Sequence, residues 1–189
     1  MKNKNAFTVL LIILCVPSVG FSEARKTYYE NGNLKSEFSY KNDKLDGVGK
    51  RYSESGELIS EANFKNGKKE GPFKVYIKKG RVGTVMNYKN GKLEGPYKVY
   101  FESGELRGEV NYKNGKKEGP SKIYYKNGKL SSEQTYRDGK EEGLYREYYE
   151  NGGLRFIDTY ENGQRINRKT YNKLGKLEFN KDYPSVEEN

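Results

Sequence analysis

Glycine recurs in this chain at a fixed interval of 24 residues. One series runs from Gly47 to Gly143 through Gly71, Gly95 and Gly119. Two further series keep the same step: Gly32, Gly56, Gly80, Gly104, Gly128 and Gly152; and Gly67, Gly91, Gly115, Gly139 and Gly163. A constant period of this length is the signature of a repeat architecture, in which each unit packs mainly on its neighbours.

Aromatic and aliphatic residues keep the same step. The series are Tyr28, Tyr52, Tyr76, Tyr100, Tyr124 and Tyr148; Tyr40, Phe64, Tyr88, Tyr112, Tyr136 and Tyr160; and Leu34, Leu58, Val82, Leu106, Leu130 and Leu154. The mean hydropathy of −1.08 would by itself indicate disorder. The 18 Tyr and 8 Phe are too many for a solvated tail, however. A thin structure with an aromatic core on one side accounts for both observations.

Each unit carries two turn signals about a dozen residues apart, "KNGK" and "ESGE" or "ENGN". Asn-Gly favours a type I′ hairpin turn, because both central residues must accept positive φ. Prolines follow a glycine at Pro72, Pro96 and Pro120, where we expect strands to begin. The predicted fold class is all-β: an elongated antiparallel β-hairpin repeat that forms an open, twisted sheet with two strands per period. We assign structural turn roles to Gly67, Gly71, Gly91, Gly95, Gly115 and Gly119.

Two-residue turns at Ser103-Gly104 and Asn114-Gly115 would fix the strand register. Across the first turn they predict the pairs Phe101–Leu106, Val99–Gly108, Lys98–Glu109 and Tyr97–Val110. Across the second they predict Leu106–Ile123, Gly108–Ser121 and Val110–Gly119. Period-2 alternation then places Lys98, Tyr100, Arg107 and Glu109 on one side of the sheet, and Tyr97, Val99, Phe101, Leu106, Val110 and Ile123 on the other.

We predict four segments along the chain. Residues 1–22 are a signal peptide, residues 23–27 a short linker, residues 28–178 the repeats and residues 179–189 a disordered tail. The signal is basic at Lys2 and Lys4 and continues with an apolar run too short to span a bilayer. We therefore expect an exported protein, periplasmic or secreted, cleaved after Gly20, Ser22 or Ala24. Lipidation at Cys15 is disfavoured because Leu14, rather than a small residue, precedes it.

The residues needed for common catalytic sites are missing. The chain has no His and no Trp, and its single Cys lies in the apolar run. Ser-His and Cys-His arrangements and the usual zinc ligand sets are thereby excluded. Glutamates at 37, 61, 109 and 133 recur with the repeat and are interpreted as cross-strand structural partners. We predict that the protein is not an enzyme and has no cofactor or metal site.

A candidate binding face follows from the repeated lysines and tyrosines. Its residues are Lys74, Tyr76, Lys98, Tyr100, Lys122 and Tyr124. Such rungs can stack on rings or attract anions. In the alternative interpretation, each tyrosine only covers the backbone of its neighbour. The net charge of +10, or +8 without Lys2 and Lys4 of the signal peptide, favours anionic partners, although the lysines are spread along the chain.

The stretch "YKNGKKEGPSKIYYKNGKLSSE", Tyr112 to Glu133, resembles the variant MORN repeat. The resemblance implies an antiparallel β-repeat fold and a role in protein–protein or membrane-surface contact. Proteins of this type are often classed as YwqK-like antitoxins, which neutralise a toxin partner. The chain lacks the tryptophan of the ordinary "YxGEW" repeat, which puts in doubt a phosphoinositide-binding role.

The resulting functional prediction is a non-catalytic exported repeat protein that binds another protein, with neutralisation of a toxin as one form. The alternative is an envelope-surface scaffold that binds anionic lipid or glycan through its Lys- and Tyr-rich face. Nucleic acid is not an expected partner for an exported protein.

Overall fold

A computed structural model describes residues 22–184, and these residues form a single sheet of 14 strands. The strands are β1 (Glu23–Tyr28), β2 (Leu34–Lys41), β3 (Lys44–Tyr52), β4 (Leu58–Lys65), β5 (Lys68–Ile77), β6 (Arg81–Lys89), β7 (Lys92–Tyr100), β8 (Leu106–Lys113), β9 (Lys116–Tyr124), β10 (Leu130–Arg137), β11 (Lys140–Tyr148), β12 (Leu154–Glu161), β13 (Gln164–Tyr171) and β14 (Leu177–Asp182). A short 3-10 turn, Lys78–Gly80, joins β5 to β6.

The strands lie in the sheet in the order in which they occur in the chain. Each pairs antiparallel with the strand before it, and β1 and β14 form the two open edges. The predicted all-β hairpin repeat is confirmed. Since every connection is a hairpin, each unit is stabilised by contacts that are local in sequence.

The Asn-Gly hairpins have the predicted turn geometry. Asn114 and Gly115 have φ of 52° and 85°, both in the left-handed region that a type I′ turn requires. Gly67 and Gly91 occupy the equivalent turn positions, each with φ of 82°. In the first unit Asp43 stands where the others have glycine and adopts φ of 58°, since aspartate tolerates this region better than most residues.

The other hairpins have three-residue loops, so the predicted two-residue turn at Ser103-Gly104 is wrong. The N–H of Gly104 donates to the carbonyl oxygen of Phe101 (3.0 Å), and the N–H of Phe101 donates to that of Glu105 (2.9 Å). Gly104 alone in this loop has positive φ, 105°. A type I turn followed by a left-handed glycine suits this sequence, because serine does not readily adopt positive φ. Consequently Tyr100, not Phe101, faces Leu106.

Beyond the loop, the pairs Lys98–Glu109, Tyr97–Val110 and Val99–Gly108 occur as predicted. The pairs predicted across Asn114-Gly115 are wrong by two residues. Val110 faces Ser121 rather than Gly119, and Gly108 faces Ile123 rather than Ser121, so Leu106 does not face Ile123.

A bulge causes this shift. Tyr112 faces Lys117 as a tight hairpin requires, but residues 118–120 then oppose the single residue 111 before pairing resumes. Gly119 has φ of 76° at this point, and the matching Gly71 and Gly95 have 82° and 83°. Pro120 therefore lies inside β9 rather than at its start. A proline is tolerated there because the bulge already interrupts the hydrogen-bond ladder.

The bulges also join consecutive units. The backbone N–H of Asn114 donates to Glu94 Oε2 (2.7 Å), and the N–H of Gly115 donates to the carbonyl oxygen of Leu93 (2.8 Å). The carboxylate bond recurs in five copies: Asn66 to Asp46, Asn90 to Glu70, Asn114 to Glu94, Asp138 to Glu118 and Asn162 to Glu142. The acidic residue before the bulge glycine of one unit thus caps the turn of the next.

One face of the sheet holds the core. Ala62 and Val110 are 4% and 9% exposed, and aromatic pairs such as Phe38–Phe64 and Tyr97–Tyr112 pack edge-on or tilted beside them. Toward the C-terminus this face becomes polar. Asp158, only 1% exposed, accepts two hydrogen bonds from Arg168 of 2.6 and 2.5 Å. A buried carboxylate needs such pairing to offset its loss of hydration.

The sheet extends past both predicted limits of the repeats. β1 begins at Glu23, within the predicted linker, and β14 ends at Asp182, within the predicted tail. Pairing with β2 and with β13 orders these residues although they lack the repeat's glycines, because backbone hydrogen bonds do not depend on side chains. Most of the predicted signal peptide, residues 1–21, lies outside the described residues.

We predict that Gly119→Ala lowers the free energy of unfolding by about 1 to 2 kcal/mol, the cost of a Cβ at left-handed φ. A Cβ built at Gly119 has no atom within 4 Å, so the effect is purely conformational. Gly119→Asn is the matched control and should cost less, because asparagine tolerates this region. Urea unfolding measures both, and equal losses would contradict the assignment.

Candidate binding face

The six residues of the predicted binding face come together on the side of the sheet opposite the core. Lys74, Lys98 and Lys122 lie in one line across the sheet, reached through the pairings of β5 to β9. Each tyrosine lies two residues further along the same strand and so shares the face with its lysine. We call this surface the Lys–Tyr face.

The three lysines belong to a row that crosses all 14 strands, with one residue from each. In order it consists of Lys26, Glu37, Lys50, Glu61, Lys74, Val85, Lys98, Glu109, Lys122, Glu133, Arg146, Ile157, Lys169 and Asn180. The glutamates face basic residues, as the interpretation of cross-strand partners required. We call this row of 14 residues the charged row.

Ion pairs along the charged row are partly solvated. The Lys26 ammonium lies 3.2 Å from Glu37, and the Lys98 ammonium lies 3.7 Å from Glu109. Glu61 is shared between Lys50 and Lys74, at 4.0 Å from each. Solvated pairs of this kind contribute about 0 to 1 kcal/mol each.

Two tyrosine hydroxyls donate to carboxylates of the charged row. Tyr148 donates to Glu133 Oε1 (2.9 Å), and Tyr124 donates to Glu109 Oε1 (3.4 Å). Partial burial, reinforced by the neighbouring carboxylate, raises the pKa of both tyrosines. These hydroxyl contacts add an electrostatic role to the covering role of the alternative interpretation, and binding through this face stays a prediction.

The best-defined cavity beside the central lysines of the Lys–Tyr face is shallow. A depression of about 160 Å³ lies between β7 and β9. It is lined by Pro96, Glu109, Val110, Asn111, Pro120 and Lys122. Ligand pockets usually enclose about 300 to 1,000 Å³. A face this shallow suits a macromolecular partner better.

Within residues 22–184, no cluster of three or more potential metal ligands is present. The same residues include no helix with the length and apolar character needed to cross a membrane.

Sequence reasoning missed two interruptions of the charged row. Val85 and Ile157 occupy positions that hold glutamate in the strands β2, β4, β8 and β10. The signal was present in the sequence, because the glutamate series 37, 61, 109, 133 omits 85 and would next reach 157. Only the register shows that these omissions leave basic residues facing each other across an apolar side chain.

The chain matches the family model described as the MORN repeat variant. The matched segments are residues 24–42, 45–66, 93–114, 117–138 and 141–162, which together cover more than half of the chain. The protein therefore belongs to the MORN repeat variant family. The copy between residues 66 and 93, which contains the 3-10 turn and Val85, is not matched.

No curated protein matches the chain. Among solved structures it is similar to the crystal structure of a GtfA/B complex bound to UDP and GlcNAc, at 12% identity and a TM-score of 0.20. The match covers 89% of this chain and 25% of the other, so this chain spans about a quarter of that protein's length. A likeness at this level carries no argument about function.

We predict that Glu133→Gln lowers the pKa of Tyr148 toward, but not to, the ordinary tyrosine value of about 10. Burial is the larger cause of the raised pKa and remains in the variant. Because the folded-state pKa is raised, the associated stability is complete below the unfolded-state pKa and is lost as pH rises through the folded-state pKa. NMR titration of the Tyr148 ¹³Cζ resonance measures the shift. The control variant Glu109→Gln, next to Tyr124, should leave the pKa of Tyr148 unchanged. An equal shift in both variants would contradict the assignment of the effect to Glu133.

Proposed function

We propose that this protein is a non-catalytic, exported repeat protein that binds another protein through the Lys–Tyr face. The observation that carries the proposal is the charged row, a line of partly exposed charges on the side of the sheet opposite the core. Repeats of this family often take part in protein or membrane binding. Neutralisation of a toxin, as in antitoxins of the YwqK type, is the specific form of this function that we favour.

The alternation of charge favours a protein partner. Protein surfaces offer both acidic and basic side chains, and complementary charge patterns fix the register and orientation of a partner. A polyanion would meet Glu61 and Glu109 as well as the lysines beside them. Like charges brought together in this way reduce affinity.

The second candidate function is a scaffold at an anionic lipid or glycan surface. It is favoured by the excess of basic over acidic residues along the charged row and by the net charge of +10. Contacts with solvent-exposed charges of one sign weaken steeply with salt, because the Debye length falls from about 10 Å at 0.1 M to about 3 Å at 1 M. A protein partner held by the same exposed lysines weakens with salt as well, so the chemical class of the captured partner, protein against lipid or glycan, distinguishes the two candidates.

The test is capture of partners by the purified protein from the envelope fraction of the producing cell. We expect the triple variant K74A/K98A/K122A to retain its fold and to lose at least about tenfold in captured partner, since truncating interfacial charge pairs is costly. The matched control K65A/K89A/K113A removes equal charge from exposed strand ends and should capture normally. Normal capture by both variants would refute binding through the Lys–Tyr face.

A further inference from the structure

The interruption of the charged row at Val85 leaves a local excess of hydrogen-bond donors. Val85 pairs with Lys74 on one side and with Lys98 on the other, so two ammonium groups flank one half-buried valine. At the equivalent position of β8, Glu109 separates Lys98 from Lys122. The carboxylate that would complete the pattern is missing between β5 and β7.

The flanking carboxylates of the charged row do not fill this place. Lys74 reaches Glu61 only at 4.0 Å, and Glu61 is shared with Lys50 at the same distance. Lys98 has its partner on the far side, Glu109 at 3.7 Å. Both lysines are about 40% exposed, so an incoming group can reach them.

A tyrosine hydroxyl supplies a third donor. Tyr124 and Tyr148 each donate to a glutamate that lies 15 residues earlier in the chain. The residue 15 positions before Tyr100 is Val85, which offers no acceptor. The hydroxyl of Tyr100 therefore has no carboxylate of the charged row at the place where its counterparts have one.

We propose that the surface over Val85 is a carboxylate-binding site, in which Lys74, Lys98 and Tyr100 hold an aspartate or glutamate side chain of the partner protein. This inference rests on the proposed function and names the chemistry of its partner. Charge-assisted hydrogen bonds to a carboxylate are about twice as strong as neutral ones. The valine beneath keeps the site less hydrated, which strengthens them further.

The surroundings specify one isolated acidic side chain rather than a polyanion. Glu61 and Glu109 lie two strands away on either side, about 10 Å from Val85 at the usual strand spacing. A chain of closely spaced negative charges would approach these carboxylates and be repelled. The same omission recurs at Ile157, between Arg146 and Lys169, about 29 Å away along the sheet. A partner that uses both places needs two separate acidic residues.

Three single variants separate charge from shape. Val85→Glu supplies the missing carboxylate from within the chain, in a position where four other strands hold glutamate, so it should fold. Val85→Gln has the same shape without the charge. Ile123→Glu adds the same charge at a side chain that is 48% exposed on the opposite face.

The experiment is titration of the ¹⁵N-labelled full chain with the capped peptide Ser-Glu-Ser and with its Ser-Gln-Ser counterpart, followed by NMR. We expect saturable shifts confined to Lys74, Val85, Lys98, Tyr100 and their strand neighbours with the glutamate peptide alone. Val85→Glu should weaken binding at least about tenfold, whereas Val85→Gln and Ile123→Glu should change it by less than about threefold.

Several results would overturn the proposal. They are equal shifts with the glutamine peptide, no shift near Val85 in the wild-type chain, or unchanged binding by Val85→Glu. Stronger binding of polyglutamate or of phosphatidylglycerol-containing vesicles, with shifts along the whole charged row, would assign the face to a polyanion instead. If K74A/K98A/K122A loses the captured partner while Val85→Glu retains it, the proposed function stands and this inference fails. If neither variant changes capture, the proposed function fails as well.

Discussion

Left-handed backbone at a few repeated positions decides which residues of this protein face each other. In the register of a plain two-residue hairpin, Glu109 would face Pro120. The bulge at Gly119 inserts two residues into β9, and Glu109 then faces Lys122. The charged row exists because the equivalent bulge recurs in unit after unit. One left-handed glycine at the bulge of each repeat thus sets the electrostatic pattern of an entire face.

The single-layer sheet divides two tasks between its faces. The aromatic side chains and the buried Val110 and Ala62 lie on the core face, which supplies the apolar burial that folding needs. Bonds from the turn of one unit to the carboxylate of the preceding unit add a polar link between repeats. The opposite face holds half-buried side chains such as Val85 and Tyr124 and carries less of this burial. It can carry partly solvated charges at little cost, and a binding surface becomes possible.

Much of the fold could be predicted from the sequence, because the Asn-Gly turns and the aromatic alternation are local signals. The hairpin architecture, the type I′ turns and the Lys98–Glu109 pair follow from them. The loops at Gly104 and the bulges at Gly119 were missed. Glycine marks a place where the backbone can turn left-handed but does not say whether it closes a loop or widens a strand. The six residues of the Lys–Tyr face were found, since they recur at the repeat period. Their grouping around Val85 was missed, because Lys74, Val85 and Lys98 are neighbours only across strands.

The sequence by itself determined the repeat, the all-β class and the membership of the MORN repeat variant family, since each depends on residues within one period. Only the tertiary structure decided the register between units, and with it the charged row and its interruptions. The physical reason is that a strand's side chains alternate with a period of two, whereas their partners depend on how many residues each turn and bulge consumes. Those numbers are set by backbone conformation, which composition and spacing leave open.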